Sequence, residues 1–247
     1  MALNGQQVER GKDQWPALSA IIPAYNEYGR IGRVLSVLLQ AQFVDEVIVV
    51  DDGSTDGMDA EVIRISQGDP RLKLIRHPTN RGKGQAILTG YRASSSPVVL
   101  LLDADLMYLT VQHLEALVEP VLAGDADMTV GLFKHGFVWT DLSHLATPWL
   151  SGQRCLRAAL MRHLPAQAAQ GYGFETCLSI LARQEKWRVK YVSWLGVTHP
   201  MGILPRSGWS GLRRKGKMYR DILISWLLIG LGLSRPIKSR YKIDRNQ

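Results

Sequence analysis

Val98-Val99-Leu100-Leu101-Leu102-Asp103-Ala104-Asp105 is an apolar run that ends abruptly in two carboxylates separated by one small residue. Five consecutive apolar residues, β-branched at the start, read as a strand buried on both faces, as in a parallel sheet covered by helices. In extended backbone side chains alternate sides, so Asp103 and Asp105 point the same way and Ala104 leaves room for a ligand near the main chain. Paired carboxylates at the carboxyl end of such a strand suit a hard divalent cation. Mg²⁺ or Mn²⁺ held in this way commonly shares its coordination with phosphate oxygens. The plainer reading is an acidic turn, because Asp is favoured in turns by its own local hydrogen bonds.

Similar runs recur on the amino-terminal side. Leu18-Ser19-Ala20-Ile21-Ile22, Val47-Ile48-Val49-Val50 and Leu72-Lys73-Leu74-Ile75 read as strands, and Ile31, Val34, Leu35, Leu38 and Leu39 recur at helical spacing between the first two. A second helical stripe includes Ile87 and Tyr91. Strand and helix in alternation imply an α/β fold with a parallel sheet and right-handed crossovers. Ligands in such sheets bind beyond the carboxyl ends of the strands. Three polar loops gather there: Pro23-Ala24-Tyr25-Asn26-Glu27, Asp51-Asp52-Gly53-Ser54-Thr55-Asp56-Gly57 and Asp103-Ala104-Asp105. Ser54 and Asp56 also read as helix caps. Beyond Met128-Thr129-Val130-Gly131 the pattern loosens into a long aromatic and His-rich loop over residues 132–147. Helical spacing returns over residues 150–164 and again over Phe174–Gln184, and residues 188–192 read as a further strand.

The chain has 247 residues and a formal charge of +8, which at first suggests nucleic acid. The charge is not spread over the fold. Residues 201–247 hold eleven Lys or Arg against Asp221 and Asp244, so the rest is close to neutral and no nucleic-acid partner is expected. Cys155 and Cys177 form no metal-type or redox-type spacing, which fits a reducing, cytoplasmic setting. No apolar stretch follows Met1, so a secretory signal is not expected. Residues 1–16 read as a flexible segment, 17–204 as one domain, and 205–247 as a basic and apolar tail.

The ordered set Ile22-Pro23-Ala24-Tyr25-Asn26-Glu27, Val49-Val50-Asp51-Asp52-Gly53-Ser54-Thr55-Asp56-Gly57, Asn80-Arg81-Gly82-Lys83-Gly84 and Leu102-Asp103-Ala104-Asp105 resembles family 2 glycosyltransferases of the GT-A fold. Gly171-Tyr172-Gly173-Phe174-Glu175 followed by Leu195-Gly196-Val197-Thr198-His199 is similar to motifs of glucosyl-3-phosphoglycerate synthases and their relatives. The resemblance implies a Rossmann-like three-layer sandwich with a mostly parallel central sheet. It also implies metal-dependent transfer of a hexose from a nucleotide-diphosphate sugar, with UDP-glucose as the expected donor. The acceptor stays open between a phosphorylated small molecule and a polyprenyl-phosphate lipid.

Breaking the bond from the anomeric carbon to a diphosphate builds negative charge on the leaving group, which a cation stabilises. Asp105 is the expected metal ligand, with His199 closing the shell and Asp103 contacting the ribose or a metal-bound water, as the resemblance implies. Pro23, Ala24, Tyr25, Glu27 and Asp52 are the expected contacts of the nucleoside, and Ala104 completes the donor side. Lys83 sits in a compact basic turn and reaches a phosphate as a point charge. The turn is no P-loop, for that motif needs a longer glycine spacing before its Lys and a hydroxyl residue after it. Glu175 is the candidate acid/base; the family leaves it either taking the acceptor proton or contacting the sugar. Ser151, Gly152, Gln153 and Arg154, placed before a helix, are expected to bind an acceptor phosphate, although a capping serine explains the string as well.

Residues 222–233 are nearly all apolar and too short to span a bilayer, which takes roughly 20 residues. With Trp226 and the basic Arg213, Arg214, Lys215 and Lys217, residues 212–233 read either as a helix lying at the inner membrane face or as one packed on the core or a homodimer partner. Two other functions compete. A sugar nucleotidyltransferase needs a glycine-rich basic loop after its first strand, where Pro23-Ala24-Tyr25-Asn26-Glu27 stands instead. A noncatalytic nucleotide-sugar-binding protein docked by its tail would show binding without turnover.

Overall fold

The computed structural model describes residues 15–134, 151–164 and 174–198. The amino-terminal segment, the 135–150 and 165–173 segments, His199 and the 205–247 tail lie outside the described residues. Along the chain run β1 (Leu18–Ala24), α1 (Ile31–Gln40), β2 (Glu46–Asp51), α2 (Met58–Ser66), β3 (Leu72–Arg76), α3 (Lys83–Ala93) and β4 (Val98–Leu101). They are followed by α4 (Val111–Leu122), β5 (Met128–Lys134), β6 (Arg154–Arg157), a 3₁₀ turn (Ala158–His163), α5 (Phe174–Gln184) and β7 (Val189–Leu195).

The strands form one sheet in the order β3-β2-β1-β4-β6-β5-β7. All neighbours are parallel except β6, which runs antiparallel to both β4 and β5. Alternation along each strand divides the core into two layers. Leu18, Ala20 and Ile22 of β1 and Val98 and Leu100 of β4 pack with α1, α2 and α4. Ile21, Val99 and Leu101 face the other way, against α3 and α5. Each central strand is therefore apolar on both faces, the cause of the uninterrupted runs in the sequence. In α1 the buried Ile31, Val34, Leu35 and Leu38 lie on one stripe, as expected.

Register sets the edge of the sheet. Ala24 of β1 is level with Asp51 of β2, and Asp51 with Arg76 of β3, so three chains leave the sheet side by side. On β1's other side Ile21 is level with Leu101, the last residue of β4. The strand at 98–101 thus ends sooner than the apolar run suggests, and Asp105 lies in the turn that follows. Strand alternation is not what brings Asp103 and Asp105 to the same edge.

A second correction falls on residues 150–164. The expected helix there is β6 and the short 3₁₀ turn, with Arg154, Cys155 and Leu156 buried. Between β4 and β5 both rows of backbone N–H and C=O groups need partners, and a strand in that slot satisfies them together. Long-range pairing overrides the local helical spacing. Two helices are additions. In α2 only Met58 and Val62 are buried, and α4 contains Pro120, which weakens the sequence signal for each. The start of α4 is fixed by reciprocal bonds: His113 N–H donates to Thr110 Oγ1, and Thr110 N–H donates to His113 Nδ1. Among the described residues no helix is long and apolar enough to cross a membrane.

Candidate active site

Because the sheet is parallel where β1 to β4 meet, their exits bring the chemistry-bearing loops together. The first two loops are tied by their own atoms. The Asp52 backbone N–H donates to Ala24 O at 2.8 Å, Asn26 N–H donates to Ser54 Oγ at 2.9 Å, and Thr55 N–H donates to Asn26 Oδ1 at 2.9 Å. Ser54 therefore braces the first loop and does not cap α2. Gly57 is the N-cap of that helix and has no side chain to cap it with. Asp56 accepts from Met58 N–H at 3.1 Å and from Tyr28 N–H at 2.8 Å, joining the two loops again.

Asp51 and Asp52 are both buried and differ in role. Asp51 Oδ1 accepts the Ser54 N–H at 2.7 Å, and the Arg76 guanidinium lies 3.3 Å from its other oxygen. Asp52 faces the third exit, where the N–H groups of Arg81 and Gly82 donate to its two oxygens at 2.9 and 2.7 Å. Tyr25 stands 46% exposed beyond β1, so its ring is available to a ligand.

Lys83 opens α3 and its Nζ lies 2.7 Å from Asp103 Oδ1 and 2.6 Å from Glu175 Oε1. One ammonium thus joins the acidic turn after β4 to the first turn of α5. Burial works against its charge, but the two carboxylates outweigh burial and hold the group well above the usual lysine range. Its side chain remains 39% exposed, open to an incoming anion.

Asp103 is gripped from the far side as well. Gln153 Nε2 donates to Asp103 Oδ2 at 2.7 Å, and the Asp103 backbone N–H donates to Gln153 Oε1 at 3.0 Å. Gly152 lies so close that a Cβ would stand 2.7 and 2.8 Å from the Asp103 carboxylate oxygens and 2.8 Å from Lys83 Nζ. Ser151 Oγ donates to Gly131 O at 2.6 Å. Arg154 is fully buried, with Nε donating to Ser151 O and NH2 to Ser179 Oγ, each at 2.9 Å; burial pulls its pKa down to about 10. No helix N-terminus exists at residues 151–154, so an acceptor phosphate would find no helix dipole there. The polar groups of that string are turned inward, and Gln153 with Gly152 shapes the surroundings of Asp103.

Glu27 completes the acidic edge. Burial raises its pKa, Arg30 opposes the rise, and the charges of Asp105 and Asp103 add to it. These carboxylates therefore repel one another across the exits of β1 and β4, a situation that a hard cation relieves. Among the described residues no three acid, His or Cys groups converge as a ready metal site. Thr198 pairs with Met107 on the strand of chain just after Asp105: Met107 N–H donates to Thr198 O at 2.8 Å. His199, the other expected ligand, is the next residue in the chain.

The sequence reading missed His77, which is buried beside Asp52. A histidine directly after a strand whose neighbours also end in functional loops was a usable signal. It also missed that Lys83 meets Asp103 and Glu175, since contacts across 20 and 92 positions leave no local trace.

Comparison with known proteins agrees with this architecture. The crystal structure of glucosyl-3-phosphoglycerate synthase from Mycobacterium tuberculosis in complex with Mn²⁺, uridine diphosphate and glucosyl-3-phosphoglycerate superposes with a TM-score of 0.69 at 25% identity, covering 88% of this chain and 80% of that one. The same protein is also known with Mg²⁺ and uridine diphosphate, and its fold is the GT-A fold. In sequence, the synthase of the H37Rv strain is 34% identical over 122 residues, 47% of this chain and 37% of that protein. The human dolichyl-phosphate beta-glucosyltransferase is 38% identical over 99 residues, 36% of this chain and 31% of that protein. The matched stretch spans about a third of the length of these curated relatives. The model of glycosyl transferase family 2 matches residues 19–192. A match that runs from β1 into β7 leaves no other assignment: the chain belongs to glycosyl transferase family 2.

Proposed function

We propose that the protein transfers a hexose from a nucleotide-diphosphate sugar, with UDP-glucose as donor, to an acceptor carrying a phosphate monoester. The observation that carries this reading is the Lys83 ammonium held between Asp103 and Glu175 at the edge where the β1 and β2 exits are laced together. It provides one cation for a diphosphate, one acid on the donor side and one on the far side. Pro23, Ala24, Tyr25, Glu27 and Asp52 take the nucleoside, Ala104 leaves space beside the sugar diphosphate, and Lys83 turns to its oxygens. Mg²⁺ or Mn²⁺ at Asp105, with His199 as the second protein ligand, supplies positive charge at the leaving diphosphate. The pairing of Thr198 with Met107, just after the Asp105 turn, supports that assignment, as do the charges of Asp105 and Asp103, which add to the effect of burial on Glu27.

For an acceptor that attacks through a hydroxyl, as a phosphoglycerate does, Glu175 takes that proton as the glycosidic bond forms and the nucleoside diphosphate leaves; a polyprenyl phosphate attacks through a phosphate oxygen and needs no such base. Two acceptors share the required phosphate: phosphoglycerate, with which the mycobacterial synthase has been crystallised, and a polyprenyl phosphate, as the names of the dolichyl-phosphate relatives indicate. The experiment supplies labelled UDP-glucose and GDP-mannose with Mg²⁺ or Mn²⁺ and each acceptor in turn. Transfer from UDP-glucose to either acceptor supports the reading. Failure to bind or turn over any nucleotide sugar refutes it.

Gly152→Ala tests the shape of this edge. Its Cβ would push into the Asp103–Lys83 pair, whose atoms are the ends of flexible side chains, so the fold accommodates it. Misplacement of about 1 Å at a reacting centre costs on the order of 10²-fold, and transfer is expected to fall about 10- to 100-fold with little change in melting temperature. Parallel measurement of initial rates and thermal unfolding checks both parts.

A further inference from the structure

One buried network stands behind Asp52 on the donor side of the site. His77 follows β3 and is 4% exposed. Its Nδ1 lies 2.7 Å from Asp52 Oδ1, its Nε2 lies 2.9 Å from Thr89 Oγ1, and its backbone N–H donates to Asp51 O at 2.8 Å. Asp52 is the same carboxylate that accepts the Arg81 and Gly82 N–H groups. These two amides immediately precede Lys83, the first residue of α3, and Thr89 lies further along that helix. The β2 exit presses on the same turn, for a Cβ on Gly53, at φ +80°, would stand 2.6 Å from the Thr79 carbonyl carbon.

We propose that His77 is a positioning residue for donor binding. Through Asp52 it holds the Arg81–Gly82 turn and through Thr89 it holds α3, and together these two anchors fix where Lys83 starts. A carboxylate oxygen only accepts, so Nδ1 carries its proton toward Asp52, and Nε2 pairs with the Thr89 hydroxyl, which can serve as donor or acceptor. Without the imidazole, one buried carboxylate oxygen loses a donor and Asp52 re-aims to find another. The turn it grips is then released. A charged group placed by its backbone, as Lys83 is, loses effectiveness when that backbone wanders. The inference rests on the reading that Lys83 meets the donor diphosphate.

The test compares the full chain with His77→Ala, His77→Asn and Thr89→Val. Amide hydrogen exchange at Arg81 and Gly82 is the first readout and needs no substrate. His77→Ala is expected to speed it by about tenfold or more, and His77→Asn, which keeps an N–H toward Asp52, is expected to restore much of the protection. The second readout is kinetic: in His77→Ala the KM for UDP-glucose rises about tenfold, and kcat changes less than threefold. Thr89→Val keeps the fold and the Asp52 bond and is expected to shift both readouts in the same direction by less, so the comparison survives if His77→Ala does not fold. Unchanged exchange at Arg81 and Gly82 in the folded variants overturns the proposal, as does a fall in kcat at constant KM. If no nucleotide sugar is turned over, the functional reading falls, while exchange still decides whether His77 holds the turn.

Discussion

Asp105→Ala is expected to abolish transfer, with a rate loss of about 10³-fold or more, and to leave the melting temperature within a few degrees of the parent. A bound cation contributes several kcal/mol to a transition state in which charge moves onto a diphosphate, and each 1.4 kcal/mol or so is about tenfold in rate. The structural cost is small by comparison. Asp105 is only partly buried, sits in a turn beyond β4 and does not contribute to the sheet ladder. Removing its charge also relieves the repulsion that raises the pKa of Glu27. Initial rates over a titration of Mn²⁺, beside thermal unfolding of the same preparation, separate the two effects. Full activity in a folded Asp105→Ala variant refutes the metal assignment, whereas activity recovered at high Mn²⁺ in Asp105→Asn supports it.

Glu175→Gln is the second large effect, a fall of about 10²- to 10⁴-fold in kcat with the donor KM nearly unchanged. The substitution keeps the shape and removes the capacity to accept a proton. It also leaves Lys83 with Asp103 at 2.7 Å, so the ammonium is not stranded without a counter-charge. A variant that loses donor affinity and keeps kcat points instead to a role in binding the sugar, the part that a glutamate here plays in a retaining enzyme. Determining the anomeric configuration of the product from the parent protein distinguishes the same two roles independently.

The sequence disclosed the parts of this molecule whose signals are local. Three of the four parallel strands, β1, β2 and β4, announce themselves because each is apolar on both faces, and the loops after them stand out as abrupt changes to Asp, Asn and Glu. The carboxyl-edge rule then gathers residues as distant as Asn26 and Ser54. Strand β6 was illegible for the opposite reason: its conformation is imposed by the unpaired edges of β4 and β5, and its own residues carry helical spacing. Reading residues 150–164 as a helix also hid the contact of Gln153 with Asp103 across the sheet edge. His77 was passed over because its partners, Asp52 and Thr89, come from different elements. Lys83 was recognised as a phosphate-seeking cation from its turn, but its salt bridges come from tertiary contacts alone.

The reversed strand β6 has a consequence for which part of the site a change reaches. An antiparallel strand begins at the edge where its parallel neighbours finish, so the residues entering β6 arrive beside Asp103. The preceding segment, residues 135–150, is bounded by a fixed stem: Ser151 bonds to Gly131, and the Gly131 N–H bonds to Gln153 O at 2.9 Å. This stem stands on the β5 side of β4, and the loops after β1 and β2 stand on the other. The reversal separates the two sides of the edge: a change at residues 151–153 meets Asp103 first, while the loops after β1 and β2 keep the bonds that lace them to each other.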